Sequence, residues 1–257
     1  MARFIGIDIG SVNTKGVITD DGALEYHHLI PSGFNYGAAA HKLREELLEK
    51  AGLSWAEIAG SVTTGCGAGN VDFGGNQVSE IVCCAKGMEA IFPAMKTIIS
   101  VGGQGSQVIR MGKAGKLADF AVSERCAAGS ARFLQVMANV LRINLDDIGP
   151  LSLKSTSPVT FSTGCAVFGE TEAITRVAEG FSMEDILAGV HQSLANKIAS
   201  LVGGIGLEEE CALCGGGGLD AGLRKALEEK LDLRLLVPSH PRVVTALGAA
   251  LLAQEKQ

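Results

Sequence analysis

The chain has no long apolar run. Hydrophobic residues make up 47% of its 257 positions, but no uninterrupted stretch approaches the roughly 20 residues that cross a bilayer. A membrane-spanning segment is therefore not expected. A basic excess is also missing. Lys and Arg number 22 against 28 Asp and Glu, a net charge of −6, which leaves no electrostatic footprint for nucleic acid. The N-terminus carries Arg3 and then Asp8, unlike the basic start and apolar core of a signal peptide. Proline is sparse, at 6, against 34 glycines. With so many apolar residues, that balance excludes disorder and suits a Gly-rich α/β protein. The seven cysteines are an odd number, so reduced thiols or ligands in the cytoplasm are expected rather than a disulfide framework. The length suffices for one large domain or two smaller ones with their own cores.

Two of the cysteines stand out by position. Behind Cys126, apolar residues recur at Phe133, Val136, Met137, Val140 and Leu141, the spacing of an amphipathic helix. Cys126 is expected in or just before its first turn, with Ser123 as N-cap. Val159–Ser162 reads as a strand, Thr163–Gly164 as a turn, and Cys165 as the start of a second helix over 166–178. Two readings stand for this pair. Both cysteines are small buried residues, because a reduced Cys packs like a hydrophobe, or both are thiolate ligands favoured by the positive ends of helices. Two thiolates are too few for an iron–sulfur cluster, which takes four. A two-fold dimer presents the same patch twice and would supply the other two.

The rest of the chain shows a pattern used twice. Residues 3–10 read as a strand, Ser11, Val12, Asn13 and Thr14 as a turn, residues 15–19 as a return strand and Leu24–Ile30 as a third. Backbone N–H groups of such a turn can hold phosphate, and Asp8 can hold a metal ion through water; an ordinary hairpin with a solvent-facing Asp is the plainer alternative. Residues 96–103 repeat the opening strand, Gln104, Gly105 and Ser106 the turn, and 107–111 and 117–122 the two following strands. Helices are expected over 38–51, 77–91, 183–202, 221–231 and 245–252. The similarity between halves is clearer in pattern than in letters and predicts a duplicated fold with a nucleotide between the halves.

Several other residues receive structural readings. Cys83 and Cys84 are adjacent on a helix, point about 100° apart and are read as core or interface residues. Cys211 and Cys214 lie on a strand, where positions i and i+3 face opposite sides, so a shared metal is not expected. His191 is read as a surface or packing residue. Glu170 and Glu172, early in the helix after Cys165, either face phosphate or match the helix dipole. Gly215, Gly216, Gly217 and Gly218 precede a helix and allow a flat ring, with adenine the natural guess, to lie on the backbone.

Taken together these segments resemble the ATP-dependent activators of 2-hydroxyacyl-CoA dehydratases and the related ATPase subunits of benzoyl-CoA reductases, within the wider actin, heat-shock chaperone and sugar-kinase superfamily. The resemblance covers nearly the whole chain. It rests on GIDIGSVNTK at 6–15, VSE at 78–80, GGQ at 102–104 and ERCAAGSARFLQVMANVL at 124–141. KST at 154–156, CAVFGETE at 165–172, AGVHQSLA at 188–195 and ALGAAL at 246–251 complete it. It implies a duplicated ribonuclease H-like, actin-like α/β fold with two subdomains around a nucleotide cleft, one formed by 1–95 plus 240–257 and the other by 96–239. It implies a homodimer with one 4Fe-4S cluster, its ligands Cys126 and Cys165 of each chain. ATP or ADP with Mg²⁺ would touch Ser11, Val12, Asn13, Thr14, Lys15, Gly102, Gly103, Gln104, the four glycines 215–218 and Arg242. Asp8, Gln104 and Glu170 would serve hydrolysis.

The chain departs from the family pattern twice. At the second phosphate turn the family carries DIGGQD, and here Ser100 and Gly105 stand in the acidic positions. The family's TGYGR reads Thr64-Gly65-Cys66-Gly67-Ala68. The resulting expectation is a cytoplasmic, oxygen-sensitive protein of an anaerobe that takes one electron from a ferredoxin or flavodoxin. It passes that electron, driven by ATP, to a partner iron–sulfur dehydratase or reductase. The alternatives are a nucleotide-binding regulatory subunit with little hydrolysis and a small-molecule kinase of the same superfamily.

Overall fold

The computed structural model describes residues 2–73, 75–112, 115–124, 126–162 and 165–255. They form two compact units, the first from Met1–Met95, Met111–Leu117 and Arg242–Gln257, the second from Lys96–Arg110 and Ala118–Pro241.

The first unit is built on β1 (Arg3–Ile9), β2 (Asn13–Asp20), β3 (Ala23–Pro31), α1 (Tyr36–Ala51), β4 (Ile58–Thr64), β5 (Asn76–Gln77) and α2 (Glu80–Ile91). The strand order is β3-β2-β1-β4-β5, antiparallel through the two hairpins and parallel from β1 to β4 and β5. β1 is apolar at nearly every position because both of its faces are covered. Ile5, Ile7 and Ile9 pack with Leu43 and Leu47 of α1. On the other face Phe4 and Val62 meet the last helix of the chain, whose Ala249 and Ala253 join them, with Cys83 of α2 alongside.

The second unit repeats the plan with β6 (Thr97–Val101), β7 (Ser106–Met111), β8 (Leu117–Val122), α3 (Ala131–Leu141), α4 (Leu145–Ser152), α5 (Ala166–Ala178), α6 (Met183–Ile205), β9 (Cys211–Cys214), α7 (Ala221–Leu231) and β10 (Leu235–Leu236). Its order, β8-β7-β6-β9-β10, is that of the first sheet position for position. Most of β7 and of β8 belongs to this unit, while Met111–Leu117 belongs to the first. Ile99, Val101 and Val108 form one core with Phe133 and Met137 of α3, Leu194 and Ile198 of α6 and Leu223 of α7. The final helix, α8 (Val244–Glu255), belongs to the first unit. Two sheets of the same order make this a duplicated ribonuclease H-like fold; the repeated strand pattern predicts the duplication, and the family resemblance implies the fold.

The structure corrects several local expectations. The helix expected from Gln77 starts at Glu80, because Asn76 and Gln77 pair with β4 as a short strand. α1 starts at Tyr36, capped by the Asn35 side chain on Ala38 N at 3.0 Å. β2 begins at Asn13, so Asn13 and Thr14 are strand rather than turn. Val159–Ser162 is no strand: Val159 N donates to Asp185 O, and Ser162 N and Oγ donate to the Glu172 carboxylate. The expected Thr163–Gly164 turn lies outside the described residues, as does Arg125 of the Cys126 segment.

α2 and α8 cross at very short range through paired glycines. A Cβ on Gly87 would fall on the Val244 carbonyl oxygen, and one on Gly248 on the Cys83 carbonyl oxygen. Gly203, by contrast, has open space around its Cα. Gly87→Ala or Gly248→Ala is expected to cost about 1–3 kcal/mol by overpacking. Gly203→Ala should gain up to about 1 kcal/mol from helix propensity. Thermal unfolding midpoints check this, and opposite signs at the two kinds of site are the expected result.

Candidate functional site

Each unit ends its first strand in a four-residue turn. In the first unit the turn runs from Gly10 to Asn13 and is closed by Gly10 N donating to Asn13 O at 3.1 Å. Thr14, fully buried, lies opposite Ile9, and its Oγ1 sits 2.9 Å from Ser32 Oγ. Ser32 follows β3 and reaches back to the turn, Oγ donating to Gly10 O at 2.6 Å and N to Val12 O at 2.9 Å. The backbone N–H groups of Ser11 and Val12 are thereby fixed on a rigid loop, the arrangement that binds anionic oxygens.

Asp8 precedes this turn. Its carboxylate is buried, with Oδ2 held 2.7 Å from Lys15 Nζ. Oδ1 is buried and has no protein partner. A buried carboxylate oxygen of this kind lacks one hydrogen bond, and a water on a divalent cation would supply it. The Gly65–Gly67 turn packs on the same strand end, where Gly67 N and Cys66 Sγ both donate to Ile9 O. Burial pushes the Cys66 thiol up from its ordinary pKa against a hydrogen bond from Tyr36 that lowers it. The chain thus places a protonated thiol where the family pattern has tyrosine.

In the second unit the turn runs from Gly102 to Gly105, closed by Gly102 N donating to Gly105 O at 2.9 Å. Ser106 opposes Val101 as Thr14 opposes Ile9. Ser123, the residue after β8, stands where Ser32 stands after β3. Its Oγ accepts from Ser106 N at 2.9 Å and its N donates to Ser106 O at 2.8 Å. Ser123 is therefore not the helix cap expected from the sequence. Ser130 is the cap, its side chain accepting from Arg132 N. A short 3-10 turn, Ala127–Gly129, separates Cys126 from α3, and Cys126 caps that turn instead. Cys165 does cap a long helix, α5, as expected.

The helices behind the two cysteines pack together, Gly169 of α5 resting on Phe133 and Met137 of α3. Cys126 and Cys165 are both half-exposed, whereas Cys83, Cys84, Cys211 and Cys214 are buried. Burial pushes the Cys211 thiol up to about 12, so it stays protonated at neutral pH, as a structural cysteine on a strand should. Among the described residues of one chain, no group of three or more His, Cys, Asp or Glu side chains is placed to hold a metal ion. A four-thiolate site on Cys126 and Cys165 therefore requires a second copy.

The glycine turn also belongs to the second unit. Gly215 takes a positive φ of 79° against the Val101 carbonyl, where a Cβ would lie 2.5 Å from the oxygen. It thus sits beside the strand end that carries Gly102, Gly103 and Gln104. Asp220 ends this turn, caps α7 through Leu223 N at 2.9 Å and lies 3.0 Å from Nε2 of His191, which is 1% exposed. Burial raises the Asp220 pKa, but the His191 ring and the Leu223 and Gly222 N–H groups outweigh it and hold the carboxyl below its ordinary range. His191 is thus a buried polar residue rather than a surface one. Glu172 is committed to Ser162 and Arg176 and does not present a spare carboxylate. Glu170 is half-buried on α5, and Arg242 is exposed just before α8.

The Asp8–Lys15 pair yields a stability prediction. Lys15→Ala leaves a nearly buried carboxylate uncompensated and should cost about 3 kcal/mol. Adding Asp8→Asn should recover much of that loss. Denaturant midpoints of the two single variants and the double variant decide it, and strict additivity would contradict the pairing.

The sequence profile of the BadF/BadG/BcrA/BcrD ATPase family matches residues 5–253. The chain is 37% identical over 250 residues to the 2-hydroxyisocaproyl-CoA dehydratase activator of Clostridioides difficile, covering 97% of this chain and 94% of that protein. It is 35% identical to the (R)-2-hydroxyglutaryl-CoA dehydratase activating ATPase of Acidaminococcus fermentans, covering 98% and 97%. Its fold superposes on the solved activator of the 2-hydroxyisocaproyl-CoA dehydratase from Clostridium difficile with bound ADPNP at a TM-score of 0.95 and 36% identity, over 99% of this chain and 95% of that one. Motifs, fold and matched length agree, and the chain belongs to the BadF/BadG/BcrA/BcrD ATPase family.

Proposed function

We propose that this protein is an ATP-dependent one-electron donor that activates a partner iron–sulfur enzyme, a 2-hydroxyacyl-CoA dehydratase or a related reductase. The observation that carries the reading is the pair of half-exposed cysteines ahead of two packed helices, set against four buried ones. Two chains related by a two-fold axis would bring four such thiolates together, and the donor set fits a 4Fe-4S cluster. Bound there, the cluster would store one electron at low potential, taken from a ferredoxin or flavodoxin and given to the partner enzyme. An exposed apolar stripe on α5 supports pairing of two copies: Val167 and Phe168 lie beside Cys165, Ile174 and Val177 continue from them, and Phe181 follows just past the helix end. Monomeric surfaces rarely leave so many large apolar side chains together.

The nucleotide contacts follow from the turns. N–H groups of Ser11, Val12 and Asn13 with Lys15 hold phosphate oxygens at the first turn, and Gly102, Gly103 and Gln104 hold them at the second. The side-chain-free backbone of Gly215–Gly218, a 3-10 turn entered through Gly215, takes the adenine, with Arg242 as a further contact, and Thr14 lies beneath the first turn. Asp8 orients a water on Mg²⁺, and Gln104 and Glu170 are the polar side chains offered to the attacking water. Two chains form the homodimer, which works in the cytoplasm.

The second turn has no carboxylate, with Ser100 and Gly105 in the family's acidic positions. Loss of one well-placed electrostatic contact lowers a rate by about 10²–10³. Steady-state phosphate release from the isolated protein is therefore expected to be slow while MgADP still binds. A rate equal to that of relatives with both acids would contradict this.

Iron and sulfide analysis after anaerobic reconstitution tests the main reading. About four irons per two chains are expected. Cys126→Ser and Cys165→Ser should each lose the iron and keep nucleotide binding, whereas Cys211→Ser and Cys214→Ser should keep both. Iron retained by Cys126→Ser, or lost by Cys211→Ser, would overturn the ligand assignment.

A further inference from the structure

The second phosphate turn and the Cys126 segment are tied by one set of buried hydrogen bonds. Ser106, fully buried, donates from Oγ to Gly129 O at 2.7 Å and from N to Ser123 Oγ at 2.9 Å. Gly129 N donates to Cys126 O at 3.0 Å, closing the 3-10 turn that Cys126 caps. Ala131 N donates to Gly102 O at 2.9 Å, so the first residue of α3 hangs on the turn itself. Ser130 Oγ adds Ala127 O at 2.9 Å and approaches Gly103 O at 3.5 Å. Every residue of this network lies in the second unit.

The first unit provides the comparison. There the equivalent pair, Thr14 and Ser32, closes its turn on Gly10 O, and the chain after Ser32 leads to Phe34, which is fully exposed, and α1. In the second unit the equivalent serine, Ser106, spends its hydroxyl on Gly129, in the cysteine segment. The same architectural position has been turned from closing a turn to joining the turn to a cysteine.

We propose that Ser106 is the positioning residue that couples the second phosphate turn to Cys126, so that the nucleotide state at Gly102–Gln104 sets how exposed the group held by Cys126 is. The inference rests on the proposed nucleotide and cluster sites. A displacement of the turn carries Gly102 O and Ser106 with it. The bonded partners Ala131 and Gly129 must follow or break buried hydrogen bonds, each of which is costly to leave unmade. Neither Ser106 nor Ser123 touches nucleotide or iron in this scheme. Their removal should therefore change the coupling and not the occupancy of either site.

The test uses the anaerobically loaded dimer and follows iron removal by a ferrous chelator with MgATP, with MgADP and without nucleotide. In the wild type the rates should differ by about tenfold between nucleotide states, within the range of ordinary site–site coupling. Ser106→Ala should bring the rates to within about twofold of one another at unchanged iron content and nucleotide affinity, and Ser106→Thr, which keeps the hydroxyl, should restore much of the difference. Should Ser106→Ala fail to fold, Ser123→Ala at a half-buried position removes the second tie and is expected to give a smaller loss of the same kind. A folded, iron-loaded Ser106→Ala or Ser123→Ala with the wild-type difference overturns the proposal. A loaded wild type whose rates ignore nucleotide overturns it as well, while leaving the iron assignment intact. A wild type that binds no iron instead fails the function reading on which the proposal rests.

Discussion

Each half of this protein depends on a buried hydroxyl residue that follows a four-residue turn and is hydrogen-bonded to the serine after the third strand. Thr14 Oγ1 meets Ser32 Oγ in the first unit; in the second Ser106 N donates to Ser123 Oγ, and the Ser106 hydroxyl goes to Gly129 O. A turn of exposed N–H groups holds an anion only if it stays open without the anion, and a backbone loop of four residues has no side-chain core to keep it so. The turn-closing bonds from Gly10 N to Asn13 O and from Gly102 N to Gly105 O supply that stiffness, and the hydroxyls beneath tie each turn to its surroundings. The matching strand orders place these hydroxyls at equivalent points of the two sheets.

From that shared base the halves diverge in chemistry. The first carries charge at its turn: a buried Asp8 with one oxygen on Lys15 and the other without a protein partner. The second carries none, and its turn is bonded instead to the segment that presents Cys126. One half sets a buried carboxylate beside its turn, and the other ties its turn by hydrogen bonds to a cysteine segment. This division suits an ATP-driven electron donor better than a kinase of the same fold, whose second substrate would call for a carboxylate near the reacting phosphate.

Much of this could be read from the sequence because the fold is a repetition. The strand–turn–strand pattern at 3–30 and again at 96–122 marked the first three strands of each sheet, the apolar spacing behind Cys126 marked α3, and the run after Cys165 marked α5. What could not be read depended on tertiary partners. Ser123 has the residue type and position of a cap, but Ser106 takes its hydroxyl, and Ser130 caps α3 after an intervening 3-10 turn. Val159–Ser162 has strand composition, but Asp185 and Glu172 bind its N–H groups singly and no strand lies beside it. Of the two readings of His191, surface or packing, the sequence could not choose; packing holds because Asp220, far away in sequence, is brought against it. Ser106 carried one legible signal, its position five residues after Ile9's counterpart Val101, matching Thr14 five residues after Ile9.

The central claim is that one cluster is shared between two copies through Cys126 and Cys165. Native mass spectrometry under anaerobic conditions tests it most directly, because it weighs chains and inorganic atoms together. The account predicts a two-chain species carrying a single four-iron, four-sulfide group, with iron-free protein as its only other form. A single chain that holds a complete cluster, or a dimer that carries one cluster on each chain, would contradict it.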